Sequence, residues 1–134
     1  MIDIENELYT ELASILYTEF PGIFVTGEVV VKPPSFPTVS IIEQSNTTLT
    51  TTLTQKLEEN HAIVMYQIEV FSNKVTGKKS ECKAILSVID KIMQEFNFTR
   101  GFSNPVINFA DTNIYRIVTR YQAIAGKDNK MYRI

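Results

Sequence analysis

The residues best equipped for chemistry in this sequence are few and scattered. There is one histidine, His61, and one cysteine, Cys82. A histidine works as a general base only beside a nucleophile and an orienting partner. The sequence places neither next to His61, which reads as an ordinary surface or capping residue at a strand start. Cys82 falls on the apolar stripe of a helical pattern, where a thiol packs as a small hydrophobe and burial raises its pKa. One cysteine rules out an intrachain disulfide. One His and one Cys fall short of a protein-only zinc site of the usual kind. Gly77-Lys78-Lys79-Ser80 looks superficially like a phosphate-binding loop, which requires G-x-x-x-x-G-K-[ST]. Here Ser72 stands at the first glycine position and Lys79 at the Ser/Thr position, so the match fails. Lys74, Lys78 and Lys79 gather near a helix N-terminus, where exposed amides attract anions; they read as a solvated charge run. Asp3, Glu5 and Glu7, and the Glu58-Glu59 pair, lack the apolar setting that tunes a carboxyl as an acid. Arg116 and Arg120 share one face of a strand pattern. They are suited to pairing with carboxylates within the sheet or across a subunit boundary. The expectation is a protein with no catalytic site, no metal and no cofactor.

The elements that carry these residues follow from periodicity. Ile4, Leu8, Leu12, Ile15 and Leu16 recur at helical spacing, and Pro21-Gly22 breaks the pattern, predicting a helix over about 3–19. The run 23–31 is rich in β-branched residues and reads as a strand kinked at Gly27. Pro33, Pro34 and Pro37 impose an extended connection to a second strand at 38–43. The threonine-rich stretch 45–60 reads as a projecting loop or β-arm, because branching at Cβ favours extended backbone. Leu49, Leu53 and Leu57, at intervals of four, would instead line one side of a helix. Residues 61–72 alternate with period two, placing Ala62, Val64, Tyr66, Ile68 and Val70 on one face. Thr76-Gly77 opens the strongest helix, with Cys82, Ile85, Leu86, Ile89, Ile92, Met93 and Phe96 as its apolar stripe. Residues 99–108, interrupted by Pro105, read as an edge strand. A turn at 110–113 leads to a long strand at 112–125. A second turn at 126–129 precedes a short terminal strand at 131–134. Two amphipathic helices covering one face of a largely antiparallel sheet make an α+β fold with a single domain, 1–134.

Bulk properties agree with that reading. A chain of 134 residues buries roughly two thirds of its unfolded surface, enough for a core without disulfides or metal. The formal net charge of −2 gives no general attraction for nucleic-acid phosphates. The acidic, patterned start of the chain does not read as a signal peptide. The apolar runs are too short to span a bilayer, so no membrane partner is expected. The sequons at Asn46 and Asn97 therefore read as chance matches.

Five segments carry a resemblance by their order and spacing: PGIFVTGE (21–28), PPSFPTVSIIEQ (33–44), ENHAIVMYQIEVFSNK (59–74), TGKKSECKAI (76–85) and NPVINFADTNIYRIVTRYQA (104–123). Together they resemble small tailed-phage proteins known as tail terminator, tail completion or minor capsid proteins, from phages and prophages of low-GC Gram-positive bacteria. None is a chemical motif, and Thr47 to Lys56 departs from the pattern. The resemblance implies a virion structural role, in the tail or neck, for a protein made in the host cytoplasm. It implies a homo-oligomer, a hexameric ring that caps the tail tube, contacts the major tail tube protein and docks to the head-tail connector. DNA would pass through the lumen without specific binding. A neck or head-completion protein is the alternative, and an enzyme or nucleic-acid-binding module a more distant one. A closed ring needs a heterologous interface, one patch meeting a different patch on the neighbour. Leu49, Leu53, Lys56, Arg116 and Arg120 are the candidates for it.

Overall fold

The computed structural model of the protein describes residues 1–50, 60–108 and 111–134. The element order is α1 (Glu5–Glu19), β1 (Phe24–Thr26), β2 (Thr38–Thr48), β3 (His61–Ser72), α2 (Lys78–Glu95), β4 (Thr99–Ile107), β5 (Tyr115–Gly126) and β6 (Met131–Tyr132). The strands form one sheet in the order β1-β2-β3-β5-β4, with β6 also pairing β5. All pairings are antiparallel except β1 with β2. The expected α+β fold, with a largely antiparallel sheet, is what the chain adopts.

Each helix owes its place to its apolar stripe. Leu8, Leu12 and Leu16 of α1, and Cys82, Ile85, Ile89 and Met93 of α2, are fully buried. They pack in one hydrophobic cluster with the alternating residues Val64, Tyr66, Ile68 and Val70 of β3 and with Ile117, Tyr121, Ala123 and Ala125 of β5. Burying one such aliphatic side chain contributes about 1.5–3 kcal/mol, so the cluster is the main source of cohesion. Phe98 closes it below α2, its ring edge-on to Tyr66 at 5.8 Å. Asn97, at the end of α2, takes a left-handed φ of 64°, a conformation asparagine tolerates better than most residues.

Several strand boundaries differ from the sequence reading: β5 begins at Tyr115 rather than 112, β6 covers only Met131–Tyr132 rather than 131–134, and two differences are larger. The strand predicted at 23–31 is only Phe24–Thr26. Beyond it, side chains take over the backbone polar groups: Glu28 N donates to Thr26 Oγ1 at 3.2 Å, Ser40 Oγ donates to the Glu28 carbonyl at 2.9 Å, and Asn108 Nδ2 donates to the Val31 carbonyl at 3.2 Å. The valines at 29 and 31 stay exposed. Conversely, β2 runs to Thr48 rather than ending at 43, through a bulge between Glu43 and Ser45, so Thr47 and Thr48 pair with Ile63 and Ala62. The start of the threonine-rich stretch is thus ordinary sheet, and the projecting loop or β-arm expected over the rest of it falls on 51–59, outside the described residues. Leu53, Lys56 and Glu58-Glu59 lie outside the described residues.

Candidate functional site

The helices cover one face of the sheet, and the other face carries the polar groups. On that helix-free face, covered in part by the segment 29–31, Arg116 and Arg120 project from β5, Gln67, Glu69 and Phe71 from β3, and Phe102 and Val106 from β4, all by strand alternation and register. Arg116 Nε donates to Glu69 Oε1 at 2.6 Å, and Arg116 Nη2 contacts the same oxygen. The Glu69 side chain is 3% exposed against 27% for Arg116, so the guanidinium is what makes a buried carboxylate tolerable. The Arg116 guanidinium also lies over the Phe71 ring at 5.7 Å. Arg120 repeats the arrangement more loosely, donating from Nε to Gln67 Oε1 at 2.9 Å and lying 5.3 Å from the Phe102 ring centre. Of the two uses open to these arginines, the structure shows pairing within the sheet.

The two ends of the sheet are unlike. At one end, β4 pairs only with β5 among the described residues, and most of its residues are exposed, including Phe102, Val106 and Ile107 among the large apolar side chains. Its ladder is interrupted by a bulge between Arg100 and Phe102. At the other end, β1 covers only Thr38, Val39 and Ser40 of β2. Beside that uncovered stretch lies an open groove of about 400 Å³ lined by Asp3, Glu5, Tyr9, Thr26, Glu28 and Ile41 among others. Glu43 stands next to it. Burial pushes the Glu43 carboxyl up from its ordinary value; the hydrogen bond from Asn46 Nδ2 opposes this, while the like charges of Glu5 and Asp3 add to it. Among the described residues the ion pairs are Arg100–Asp90 and Arg116–Glu69, and neither neutralises this acidic group. The Tyr66 hydroxyl is likewise held protonated, by burial first and then by Glu43, Glu5 and Asp3.

The other sequence candidates are dispersed. His61 is half-buried at the start of β3, with its ring edge-on to Tyr132 at 5.7 Å. Its Nδ1 meets no hydrogen-bonding partner among the described residues. Cys82 is buried in the core, and burial, with a smaller contribution from Glu81, pushes its thiol up to about 12. Lys78 Nζ donates to the Asn113 carbonyl at 3.0 Å, which ties the start of α2 to the turn before β5. Leu49 is half-buried, its amide donating to the His61 carbonyl at 2.9 Å. Among the described residues no group of three or more His, Cys, Asp or Glu is disposed to hold a metal ion. No helix among them is long and apolar enough to cross a membrane. The sequence reading missed Glu69, Glu43, Arg100 and Phe102. Their roles come from cross-strand register, which period-two alternation within one strand does not carry. Compared with known protein families and with curated proteins, the chain matches none.

Proposed function

We propose that the protein is a structural subunit of a phage virion, a tail terminator that closes into a ring, caps the tail tube and meets the head connector. The observation that carries this reading is where the polar groups are spent. Inside the subunit, Arg116 pairs with Glu69 and Arg120 with Gln67, His61 Nδ1 meets no hydrogen-bonding partner among the described residues, and Cys82 Sγ is buried against the Val70 and Tyr115 carbonyls. What remains for function is surface: an exposed strand edge at β4 and an acidic groove at the far side of the same sheet. Unlike patches at opposite ends of one subunit are what a heterologous, ring-closing contact requires. The segments at 59–74, 76–85 and 104–123 that resemble the phage proteins fall on β3, α2, β4 and β5, which take in the β4 end and the strands that join it to β2.

Deleting the gene from a phage or prophage that carries it tests the proposal. The expected result is lysates with tails of uncontrolled, excessive length, and restoration of normal tails by the protein supplied in trans. Normal-length tails lacking heads would assign the chain to the neck instead. Electron microscopy of the concentrated protein, or of protein mixed with tail tubes, should show annular particles.

A further inference from the structure

We infer that the outer edge of β4 in one subunit pairs, antiparallel, with the stretch of β2 from Ile42 to Thr47 in the next, which no described strand covers, so that one sheet runs on from copy to copy. This rests on the oligomeric reading above and assigns its interface.

Strand direction carries the first part of the argument. β2 is antiparallel to β3, β3 to β5, and β5 to β4. β2 and β4 therefore run in opposite directions within one subunit. A copy rotated about an axis lying along the strands keeps those directions, so its β2 arrives antiparallel to the first copy's β4. The two edges need no inversion to join. An exposed edge strand with apolar side chains is a template for such pairing.

Register carries the second part. Glu43, Tyr66, Tyr121 and Arg100 form one row across β2, β3, β5 and β4 on the helix-covered face. When the row continues without stagger, Arg100 of one copy meets Glu43 of the next. Arg100 is about half exposed and reaches Asp90 at only 3.4 Å. Glu43 is crowded by Asp3 and Glu5, with no cation paired to it among the described residues. The next row, on the helix-free face, is Ile42, Gln67, Arg120 and Phe102, and it brings the exposed Phe102 ring against Ile42. The row on the other side, Ser45, Met65, Gln122 and Thr99, sets two small polar residues together. Each end of a row is chemically matched to the other end of the same row, and the two bulges flank the Glu43–Arg100 row, that of β2 on its Ser45 side and that of β4 on its Phe102 side. A second copy of this chain is thus the occupant that fits each edge.

Paired cysteines test the contact. Ser45 and Thr99 are both exposed and lie three strand spacings apart in one subunit, about 14 Å, beyond the roughly 7 Å that a disulfide spans. Ser45→Cys with Thr99→Cys, oxidised at a concentration where the protein associates, should give a ladder of covalent multimers on a non-reducing gel. Buried Cys82 stays unmodified. Glu43→Lys and Arg100→Glu should each weaken association about tenfold in analytical ultracentrifugation, and their combination should restore it. Unchanged melting of the cysteine variant shows that its fold is kept. Association without a ladder in that variant would overturn this interface and leave the ring standing. Dimers from Ser103→Cys alone would mean a two-fold contact of β4 with itself, and would also overturn it. A protein that stays monomeric even on tail tubes would overturn the ring reading itself.

Discussion

Glu69 is a carboxylate that the fold has buried and must neutralise. Removing its partner should therefore cost more than removing an exposed cation. Arg116→Ala is expected to lower unfolding stability by about 3 kcal/mol, the low end for breaking a buried pair because Arg116 is itself partly exposed. Arg120→Ala, whose partner is the neutral Gln67, should cost about 1 kcal/mol in the same urea titration. Cys82 gives a second residue-scale expectation. Its folded pKa lies above the ordinary 9.0, at about 12, so the folded chain keeps a proton that the unfolded chain has released. The stability it supports is full below pH 9 and is lost as the pH rises toward 12, by up to about 1.4 kcal/mol per pH unit. Tyr66 and Tyr121, whose ionisation is pushed up from 10.0 mainly by burial, join above pH 10. Cys82→Ala should move the onset of the alkaline decline from about pH 9 to about pH 10, read from melting temperature against pH.

At the scale of elements, the stripe of α2 holds the sheet's covered face. Ile89→Ala, at a fully buried position, should cost about 2–5 kcal/mol by leaving a cavity against β3 and β5, measured by chemical denaturation. The same stripe explains why much of the architecture is legible in the sequence. Residues 61–72 and 78–95 carry unbroken periods of 2 and 3.6, and both elements fall where the pattern puts them. The run at 23–31 misleads because β-branched residues satisfy a strand pattern whether or not a neighbour is there to pair. Here Ser40 and Asn108 take the carbonyls of Glu28 and Val31, and the valines face outward. The extension of β2 to Thr48 was half visible, since the threonines already argue for extended backbone, but its pairing with 62–65 depends on a bulge at Gln44 that no local pattern announces. The partners of Arg116 and Arg120 lie 47 and 53 residues away along the chain, and only strand order brings them near.

For the whole molecule, charge sets what the surface will tolerate. With a net charge of −2, duplex DNA should not be retarded by the protein in a gel shift at about 0.15 M salt, because few counterions can be released on contact. Retardation that weakens steeply with salt would mean a basic surface acting apart from the whole-chain field. The strand order also orders the rate at which backbone amides trade hydrogen for deuterium. β3 has a partner on both sides and helices above it, so its amides should be the slowest, opening only with global unfolding. Those of β4 that face away from β5 should exchange within seconds in dilute protein. At concentrations where copies join, these same amides should slow by orders of magnitude while β3 stays unchanged, so the time course of labelling at Thr99–Ile107 becomes a clock for assembly.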